Sequence, residues 1–463
     1  MALPSDTLAV PVEAPAPVDT PRRHVAVVDG LLIVAGLGIL GVGQAHSIWG
    51  DADHRYDALT ALLADQRLLD NPYSLVGPLF ATPLWLIGRL VGDARGWTSM
   101  FNVLLFQGAI LALYVLLRGR MAPALLRRFL LLLVGGSLIA AHTQTFYGEV
   151  FTMVAVGVGI VVATVPGPGR LRRGAGWLGV VLGAANTPAS FVGLGLVGAD
   201  RTLRRRRLRY ALPVLAGLAL IMVEAWARRG SPFASGYGHE VIAVTPMPYS
   251  GVPGWSYPVV FGLLAIIFSF GRGLIFFMPG LVLPVARRLR AQSPELAEVY
   301  RLWMLFLAGL VLVYAPWWAW HGGIFFGPRF FLIAILPASL ALAVWLSDAD
   351  AGPLANLVTL GVLALSVWVA ADALFFAQVY PDTCYGDNFA LESFCHFTPE
   401  FSALWYPFLL KPRLTGVQLV ESGYYLLVFG WLAAPVVARL GRQTRDRLAG
   451  AARPLLRPDA WRL

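Results

Sequence analysis

The chain has 463 residues, of which 57% are hydrophobic and only 13% are charged, and its mean hydropathy is +0.67. A soluble domain carries about 25% charged residues, so this composition excludes a soluble enzyme. Apolar runs of about 20 residues recur along the chain and predict an all-α polytopic membrane protein. The net charge of +10 does not indicate nucleic-acid binding, because arginine-rich cytoplasmic loops produce the same excess in membrane proteins.

Arginine clusters divide the apolar segments into pairs of crossings, and the positive-inside rule places both termini in the cytoplasm. Residues 1–24 form a tail that we expect to be disordered, residues 25–440 form the membrane domain, and residues 441–463 form a basic cytoplasmic tail. We predict about 12 membrane segments, at 25–47, 98–117, 129–141, 150–165, 175–199 (two half-spans), 210–227, 274–286, 302–317, 330–345, 357–377 and 417–437.

The segment 175–199 begins and ends beside basic clusters, and Asn186-Thr187-Pro188 lies at its middle. Two short half-spans around a break are therefore predicted, a form that requires surrounding protein or a water-filled cavity. Long outer segments remain at 48–97, 228–273 and 378–416. Such loops are the usual place for the chemistry of an enzyme that works on the outer face. A transporter with pseudo-symmetric halves is disfavoured, because the sequence has no evident internal repeat.

The first outer loop begins with two acidic residues, Asp51 and Asp53, directly after the first predicted span. The apolar residues that follow, among them Tyr56 and Leu59, have helical spacing and predict an amphipathic helix in the interface. The next apolar stretch, 74–91, contains prolines and predicts a broken interfacial helix. Aspartate is favoured at helix N-termini, so these two acids are explained most simply as the solvated start of a helix. Alternatively, one carboxylate accepts the proton of an acceptor hydroxyl as that hydroxyl attacks a sugar carbon.

Four stretches together resemble the GT-C glycosyltransferases, membrane enzymes that use polyprenyl-phosphate-linked sugars. This family includes protein mannosyltransferases, aminoarabinose transferases, and the mannosyl- and arabinosyltransferases of actinobacterial envelopes. The stretches are the acidic loop after the first span and residues 143–149, 268–279 and 318–330. The third stretch differs from the family pattern in having Phe270 for proline and Arg272 for lysine. The resemblance touches about the first 345 residues.

The resemblance implies an inverting transfer with an aspartate of the first outer loop as general base. Asp53 is favoured over Asp51, because its distance from Tyr56 in sequence is nearer the family spacing. Arg329 and Arg272 are the candidates for binding the donor phosphate, since the planar guanidinium holds two oxygens at once. An ordinary snorkelling side chain remains the alternative for Arg329.

Further candidate substrate contacts are Tyr56, Glu149, His321, His239 and Glu240. Glu149 begins a predicted span and could pair with His142 at a metal, but zinc sites usually need three protein ligands. We therefore expect no metal and no other cofactor, although a divalent metal stays possible. Cys384 and Cys395 are the only cysteines. Both lie in the last outer loop, where an oxidising space would favour a disulfide.

The sequence hypothesis is a glycosyltransferase of the bacterial plasma (inner) membrane. It would move a hexose or pentose from a polyprenyl-phosphate donor to an envelope glycolipid, polysaccharide or protein at the outer face. Its expected partners are that donor, the acceptor and the lipid bilayer, without nucleic acid. One alternative is a lipid-linked oligosaccharide flippase or another transporter. The other is an O-antigen-type polymerase or ligase, which uses a diphosphate-linked oligosaccharide.

Overall fold

The computed structural model describes residues 20–167, 169–234, 255–377, 379, 382–386 and 391–452. Helices make up most of these residues, and no β-strand longer than an isolated bridge occurs among them. The predicted all-α class is therefore confirmed.

The first eleven α-helices, in chain order, are α1 (Thr20–Gly38), α2 (Asp51–Asp65), α3 (Val76–Leu79), α4 (Thr82–Val91), α5 (Ala94–Ser99), α6 (Phe101–Leu117), α7 (Pro123–Gly135), α8 (Ile139–Thr143), α9 (Gly148–Thr164), α10 (Arg170–Asn186) and α11 (Phe191–Arg205). The remaining α-helices are α12 (Leu212–Arg229), α13 (Val259–Phe268), α14 (Leu274–Phe277), α15 (Ala286–Gln292), α16 (Pro294–Tyr314), α17 (Ile335–Leu346), α18 (Pro353–Phe375), α19 (Asp382–Tyr385), α20 (Glu392–Phe397), α21 (Tyr406–Leu410) and α22 (Gly416–Ala452).

Within the described residues, seven helical segments are long and apolar enough to cross a membrane. They are Arg23–Gly43, Ala94–Leu117, Leu208–Arg229, Pro294–Tyr314, Arg329–Leu346, Pro353–Phe375 and Gly416–Leu448. Each overlaps a predicted span. Many of their exposed side chains are large and apolar, for example Leu111 and Leu426, as expected of a surface that faces lipid. The total of about 12 crossings stays a prediction, because other predicted spans are shorter helices.

The chain ends differ slightly from the predicted boundaries. α1 begins at Thr20, within the predicted tail, and α22 continues past residue 440 to Ala452. Residues 1–19 and 453–463 lie outside the described residues.

The predicted span 274–286 is wrong as a single helix. α14 has only four residues, a 3₁₀ turn follows at Pro279–Val282, and α15 begins at Ala286. Pro279 and Pro284 lack the backbone N–H that a continuous helix needs, so the helix cannot run through them. Phe277 and Met278 are buried in this stretch, where surrounding protein makes irregular backbone tolerable in a membrane.

The predicted helix break after α10 is confirmed. α10 ends at Asn186, and one 3₁₀ turn at Pro188–Ser190 leads directly into α11. The Asn186 side chain accepts a hydrogen bond from the Gly77 N–H (2.9 Å) and donates one to the Gly148 carbonyl (2.8 Å). At about 1.5 Å per residue, the 17 residues of α10 span about 25 Å. α10 is therefore longer than the predicted half-span and close to the hydrocarbon thickness of about 30 Å.

Residues 48–97, the predicted first outer loop, contain a helix where an interfacial one was predicted, α2, and a broken helix where one was predicted, which forms α3 and α4. Two arginines at the end of α12 bind this loop. Arg228 donates from Nε to the Leu69 carbonyl at 2.9 Å, and Arg229 Nε lies 3.3 Å from the carboxylate of Asp70. The predicted topology puts Arg228 and Arg229 on the outer side, where basic residues are rare. These contacts give both of them partners there.

Candidate active site

A cavity of about 630 Å³ lies beside the first turn of α2. Its charged and polar lining residues are Asp51, Arg55, Tyr73, Ser74, Glu149, Asn186, Thr187, Glu224, Arg229 and Arg329. Its apolar lining residues include Phe191, Val192, Ile221, Phe233, Trp255, Val313, Tyr314, Trp317 and Phe330. The lining thus combines ionisable groups, which we call the charged wall, with aliphatic and aromatic side chains, which we call the apolar wall.

Three side chains from distant parts of the chain meet in the charged wall. Arg329 forms an ion pair with Asp51 through Nη2, and its Nη1 lies 3.8 Å from Glu149 Oε1. The Arg329 side chain is only 7% exposed, while Asp51 and Glu149 are 22% and 11% exposed. We call these three residues the cavity cluster. Their opposite charges make the burial of each tolerable.

The guanidinium of Arg329 is held by aromatic rings but keeps unused donors. Its Cζ lies 4.1 Å from the Phe325 ring centroid, 5.0 Å from that of Phe330 and 5.5 Å from that of Tyr147. Such cation–π contacts favour a fixed orientation of the guanidinium. Its Nε and Nη1 atoms are buried and have no hydrogen-bond partner among the described residues. These donors lie within the cavity lining but are covered in this structure, so a small rotation of the side chain would be needed to turn them toward a ligand.

Asp51 is ionised at neutral pH. Burial alone would raise the pKa of its carboxyl, but the charge and hydrogen bond of Arg329 and a hydrogen bond from the Tyr73 hydroxyl together outweigh burial. The pKa of Asp51 consequently lies below its usual value of 3.8. Burial also raises the pKa of the neighbouring Tyr147 phenol above its usual value of 10.0, so this phenol stays protonated.

The sequence analysis missed two cationic residues of the cavity, Arg55 and Arg229. Arg55 follows Asp51 by one helical turn, and this spacing places both on one face of α2. Its side chain is buried, and its Cζ lies 4.9 Å from the centroid of the Tyr73 ring. The spacing to Asp51 was the available signal for Arg55, whereas Arg229 stands just after a predicted span, at a position that by itself indicates no ligand contact.

Glu224 is a third missed residue, and it supports the loop that carries Tyr73. Its carboxylate accepts hydrogen bonds from the Ser74 hydroxyl (2.6 Å) and the Leu75 N–H (2.7 Å), and it pairs with Arg228 at 2.8 Å. Nothing in its position within a predicted span pointed to this contact.

The structure places Asp53, the favoured base, away from the cavity. Its carboxylate pairs with Arg95, and the two side chains are 37% and 49% exposed. Arg95 in turn lies over the ring of Tyr56, with Cζ 5.4 Å from the centroid. Neither Asp53 nor Tyr56 is among the described residues that line the cavity. Residues two apart in a helix point about 200° away from each other, so only one of the two aspartates can face it.

Arg272 also lies outside the cavity lining formed by the described residues. Its side chain is buried and donates from Nη2 to the Gly323 carbonyl (2.8 Å) and the Tyr385 hydroxyl (3.1 Å). A longer contact of 3.5 Å joins Nη1 to the Gly327 carbonyl. Arg272 therefore binds residues 321–329, which we call the glycine-rich loop. It does not line the cavity, as the sequence analysis expected of a phosphate-binding residue.

The other predicted contacts are also separated from the cavity or lie beyond the described residues. His321 is buried beside Glu392. Burial, with His396 as a further cause, lowers the pKa of the His321 imidazole well below its usual 6.5 despite Glu392, so the ring is neutral. His239 and Glu240 lie outside the described residues.

Cys384 and Cys395 form a disulfide in the structure, with Cα atoms 5.9 Å apart. The bond joins α19 to α20, and both cysteines are buried. Tyr385, the neighbour of Cys384, is the residue whose hydroxyl accepts the hydrogen bond from Arg272. The disulfide is thus linked to the glycine-rich loop through Tyr385 and Arg272.

No protein-family profile matches this sequence, and no curated protein sequence matches it. Two solved structures are similar to the chain, both crystal structures of ArnT from Cupriavidus metallidurans. For the apo state, the identity is 14% and the TM-score 0.48, over 91% of this chain and 78% of that chain. For the form bound to undecaprenyl phosphate, the identity is 15% and the TM-score 0.47, over 91% and 79%. The site is therefore interpreted from its own geometry.

Proposed function

We propose that this protein is a membrane glycosyltransferase that moves one sugar from a polyprenyl-phosphate carrier to an acceptor hydroxyl. The observation that carries the proposal is the buried pair of Asp51 and Arg329 in the lining of a cavity that contains both ionisable and apolar side chains. A lipid phosphate likewise combines a charged headgroup with an apolar chain.

Arg329 would bind the phosphate of the donor. Its Nε and Nη1 atoms have no hydrogen-bond partner among the described residues, and a guanidinium that turns toward the cavity can hold two phosphate oxygens in one plane. Arg55 and Arg229 line the same cavity and add positive charge. The phosphate would replace Asp51 as the counter-charge of Arg329, and this exchange keeps the buried guanidinium neutralised throughout the reaction.

Asp51, rather than Asp53, would then act as general base. Once the phosphate engages Arg329, the Asp51 carboxylate is released to accept the proton of the acceptor hydroxyl. The acceptor oxygen forms a bond to the anomeric carbon as the bond between that carbon and the phosphate oxygen breaks. The phosphate leaves with the electron pair and stays paired with Arg329. A single displacement of this kind inverts the anomeric centre.

The apolar wall would receive the first isoprene units of the carrier. Phe191, Ile221 and Val313 lie in this wall, and all three belong to helices of the membrane domain. We place the cavity at the outer face of a bacterial plasma membrane, with both termini in the cytoplasm and an envelope glycan, glycolipid or protein as acceptor. The arginine clusters of the short loops support this orientation.

Binding of undecaprenyl phosphate to the purified full chain tests the donor site directly. Loss of a hydrogen bond to a charged group costs about 1.5–3 kcal/mol, so Arg329→Ala should weaken binding about tenfold to 100-fold. Arg329→Lys should recover part of the loss, because a point charge replaces a planar fork. Arg89→Ala, at an exposed position on α4, is the matched control and should bind as the unaltered protein does.

A second measurement separates transfer from transport. Undecaprenyl-phosphate-linked sugars are supplied with an envelope lipid fraction, and the released undecaprenyl phosphate is measured. Release that depends on the acceptor supports the proposal. Movement of the intact lipid-linked sugar across proteoliposomes without release would establish the transporter alternative, and undiminished binding by Arg329→Ala would refute the assigned phosphate site.

A further inference from the structure

A second group of ionisable side chains lies behind the glycine-rich loop. His321 belongs to the loop that follows α16, while Glu392 and His396 lie one turn apart on α20. All three are buried, at 4%, 2% and 0% exposed. We call them the sealed cluster. None of the three is among the described residues that line the cavity, and the proposed transfer mechanism does not use them.

Two of the three distances within the sealed cluster match those between ligands of one metal ion. His321 Nδ1 lies 3.4 Å from Glu392 Oε1, and His396 Nε2 lies 3.3 Å from the same oxygen. The three donor atoms all lie within 4.8 Å of one another. Ligand atoms bound tetrahedrally to zinc at about 2.0–2.1 Å are about 3.4 Å apart, so the two short separations equal the edges of such a site.

The hydrogen bonding of His321 leaves a lone pair available for a cation, although Glu392 Oε1 already has a hydrogen-bond contact with His396 Nε2 at 3.3 Å. The Gly323 N–H donates to His321 Nδ1 at 3.2 Å, so this nitrogen carries a lone pair and no proton. It therefore faces Glu392 Oε1 lone pair to lone pair, an arrangement that a carboxylate and a neutral imidazole avoid in the absence of a cation. A metal ion would replace the long Gly323 hydrogen bond at the same lone pair.

Other buried polar atoms of the cluster also need a partner. Among the described residues, Glu392 Oε2, His321 Nε2 and His396 Nδ1 have no hydrogen-bond partner. Buried polar atoms of this kind are normally paired, because leaving one unpaired costs about 1–3 kcal/mol. The second carboxylate oxygen can complete a bidentate contact to a metal, and each outer imidazole nitrogen can bond to a water molecule, as metal-bound histidines usually do.

Aromatic rings enclose the cluster. The His321 and His396 rings are 4.3 Å apart by their centroids, and the Trp320 ring lies 5.7 Å from His321 and 5.9 Å from His396. Trp318 lies 6.2 Å from His321. An apolar shell excludes solvent and strengthens a charged site within it. Arg272, which bonds to the Gly323 carbonyl and the Tyr385 hydroxyl, is the cation near this group.

We propose that His321, Glu392 and His396 bind one zinc ion. Two imidazoles and a carboxylate are a donor set that zinc uses, with a fourth position left for water or another oxygen. Magnesium and calcium prefer all-oxygen sites, and the two nitrogen ligands disfavour them here. Because the site is sealed from solvent, its role is structural. The ion would fasten the glycine-rich loop to the disulfide-linked helices α19 and α20.

The metal content of the full chain tests this proposal. The protein is purified in detergent with a tag that contains no histidine, and its metals are measured by mass spectrometry. About one zinc ion per chain is expected. His321→Ala and His396→Ala should each lose most of it, as should Glu392→Gln. The matched control is His24→Ala, at an exposed position on α1, and it should retain the zinc.

A second measurement covers the case in which the variants do not fold. Treatment of the unaltered protein with a strong chelator should lower its Tm, and zinc but not magnesium should restore it. X-ray absorption should show nitrogen and oxygen ligands at about 2.0–2.1 Å without sulfur. Absence of stoichiometric zinc together with an unchanged Tm on zinc addition would overturn the proposal, as would equal zinc in the control and in all three ligand variants. Neither readout depends on glycosyl transfer.

Discussion

The cavity cluster and the sealed cluster are built from similar side chains but differ in what surrounds them. In the cavity cluster, Asp51 and Arg329 face about 630 Å³ of open space, and the carboxylate is 22% exposed. In the sealed cluster, no member is more than 4% exposed. Charges beside open space can exchange one partner for another, whereas sealed charges cannot do so without local unfolding. The first arrangement suits turnover of a ligand, and the second suits a permanent link.

The glycine-rich loop connects the two clusters. His321 and Arg329 stand at its ends, and Gly322, Gly323 and Gly327 between them have φ of +77°, +80° and +62°. Residues other than glycine rarely adopt a backbone φ in this range. A Cβ on Gly322 would also lie 3.1 Å from Arg329 Cγ. The loop therefore turns tightly. Because His321 of the sealed cluster holds one end of the loop, it helps to fix the position of the Arg329 guanidinium at the other end.

The largest expected effect separates the two aspartates of α2. Asp51→Asn should lower the transfer rate at least about 100-fold, because loss of a general base typically costs that much. Asp53→Asn should lower it less than about tenfold, because its carboxylate pairs with Arg95 at the surface. Initial rates of undecaprenyl phosphate release from a lipid-linked sugar measure both. The reverse order would return the base assignment to Asp53, as the sequence spacing suggested.

A smaller effect distinguishes the two arginines that the sequence analysis paired. Arg272→Ala should lower the Tm by about 2–6 °C, since it removes hydrogen bonds to the carbonyls of Gly323 and Gly327. The affinity of the folded protein for undecaprenyl phosphate should change less than about threefold, in contrast to Arg329→Ala. Thermal unfolding and lipid binding on the same preparation measure both quantities. A loss of affinity with an unchanged Tm would show that Arg272 contacts the phosphate.

The smallest effect concerns the pH dependence of the ion pair between Asp51 and Arg329. The pKa of Asp51 is lowered in the folded protein, so the pair stabilises the fold fully above the usual value of 3.8 and is lost as pH falls through the folded pKa. The Tm of the unaltered protein minus that of Asp51→Asn, roughly a few degrees, should be constant between pH 8 and pH 5 and shrink below about pH 4. A difference that grows with acidity would contradict the lowered pKa.

Hydropathy and residue type were enough to predict the long apolar helices and one of the two interruptions described above. All seven long apolar segments were predicted, because a span needs about 20 apolar residues and nothing else. The break after Asn186 was predicted from Pro188, which cannot continue a helix. The span at 274–286 was misjudged because its apolar composition outweighed two prolines, whose effect on the backbone is local and independent of hydropathy.

The candidate site was only partly predictable. Sequence reasoning found Asp51, Glu149 and Arg329 as separate candidates, but it favoured Asp53 and treated Arg272 as a partner of Arg329. Glu392 and His396 of the sealed cluster attracted no attention. Their spacing of four residues places them on one face of α20, but a histidine and a glutamate at that spacing are common in helices without a ligand.

The sequence by itself determined the helical class, the seven long apolar segments, the helix-breaking prolines and the presence of carboxylates and arginines between the apolar segments. These properties depend on local composition, which each segment carries wherever it packs. Only the tertiary structure decided which of them meet. Asp51 and Arg329 are 278 positions apart, and their pairing depends on how α2 and the glycine-rich loop pack. Asp53 shares the helix of Asp51, yet a rotation of about 200° turns it toward solvent.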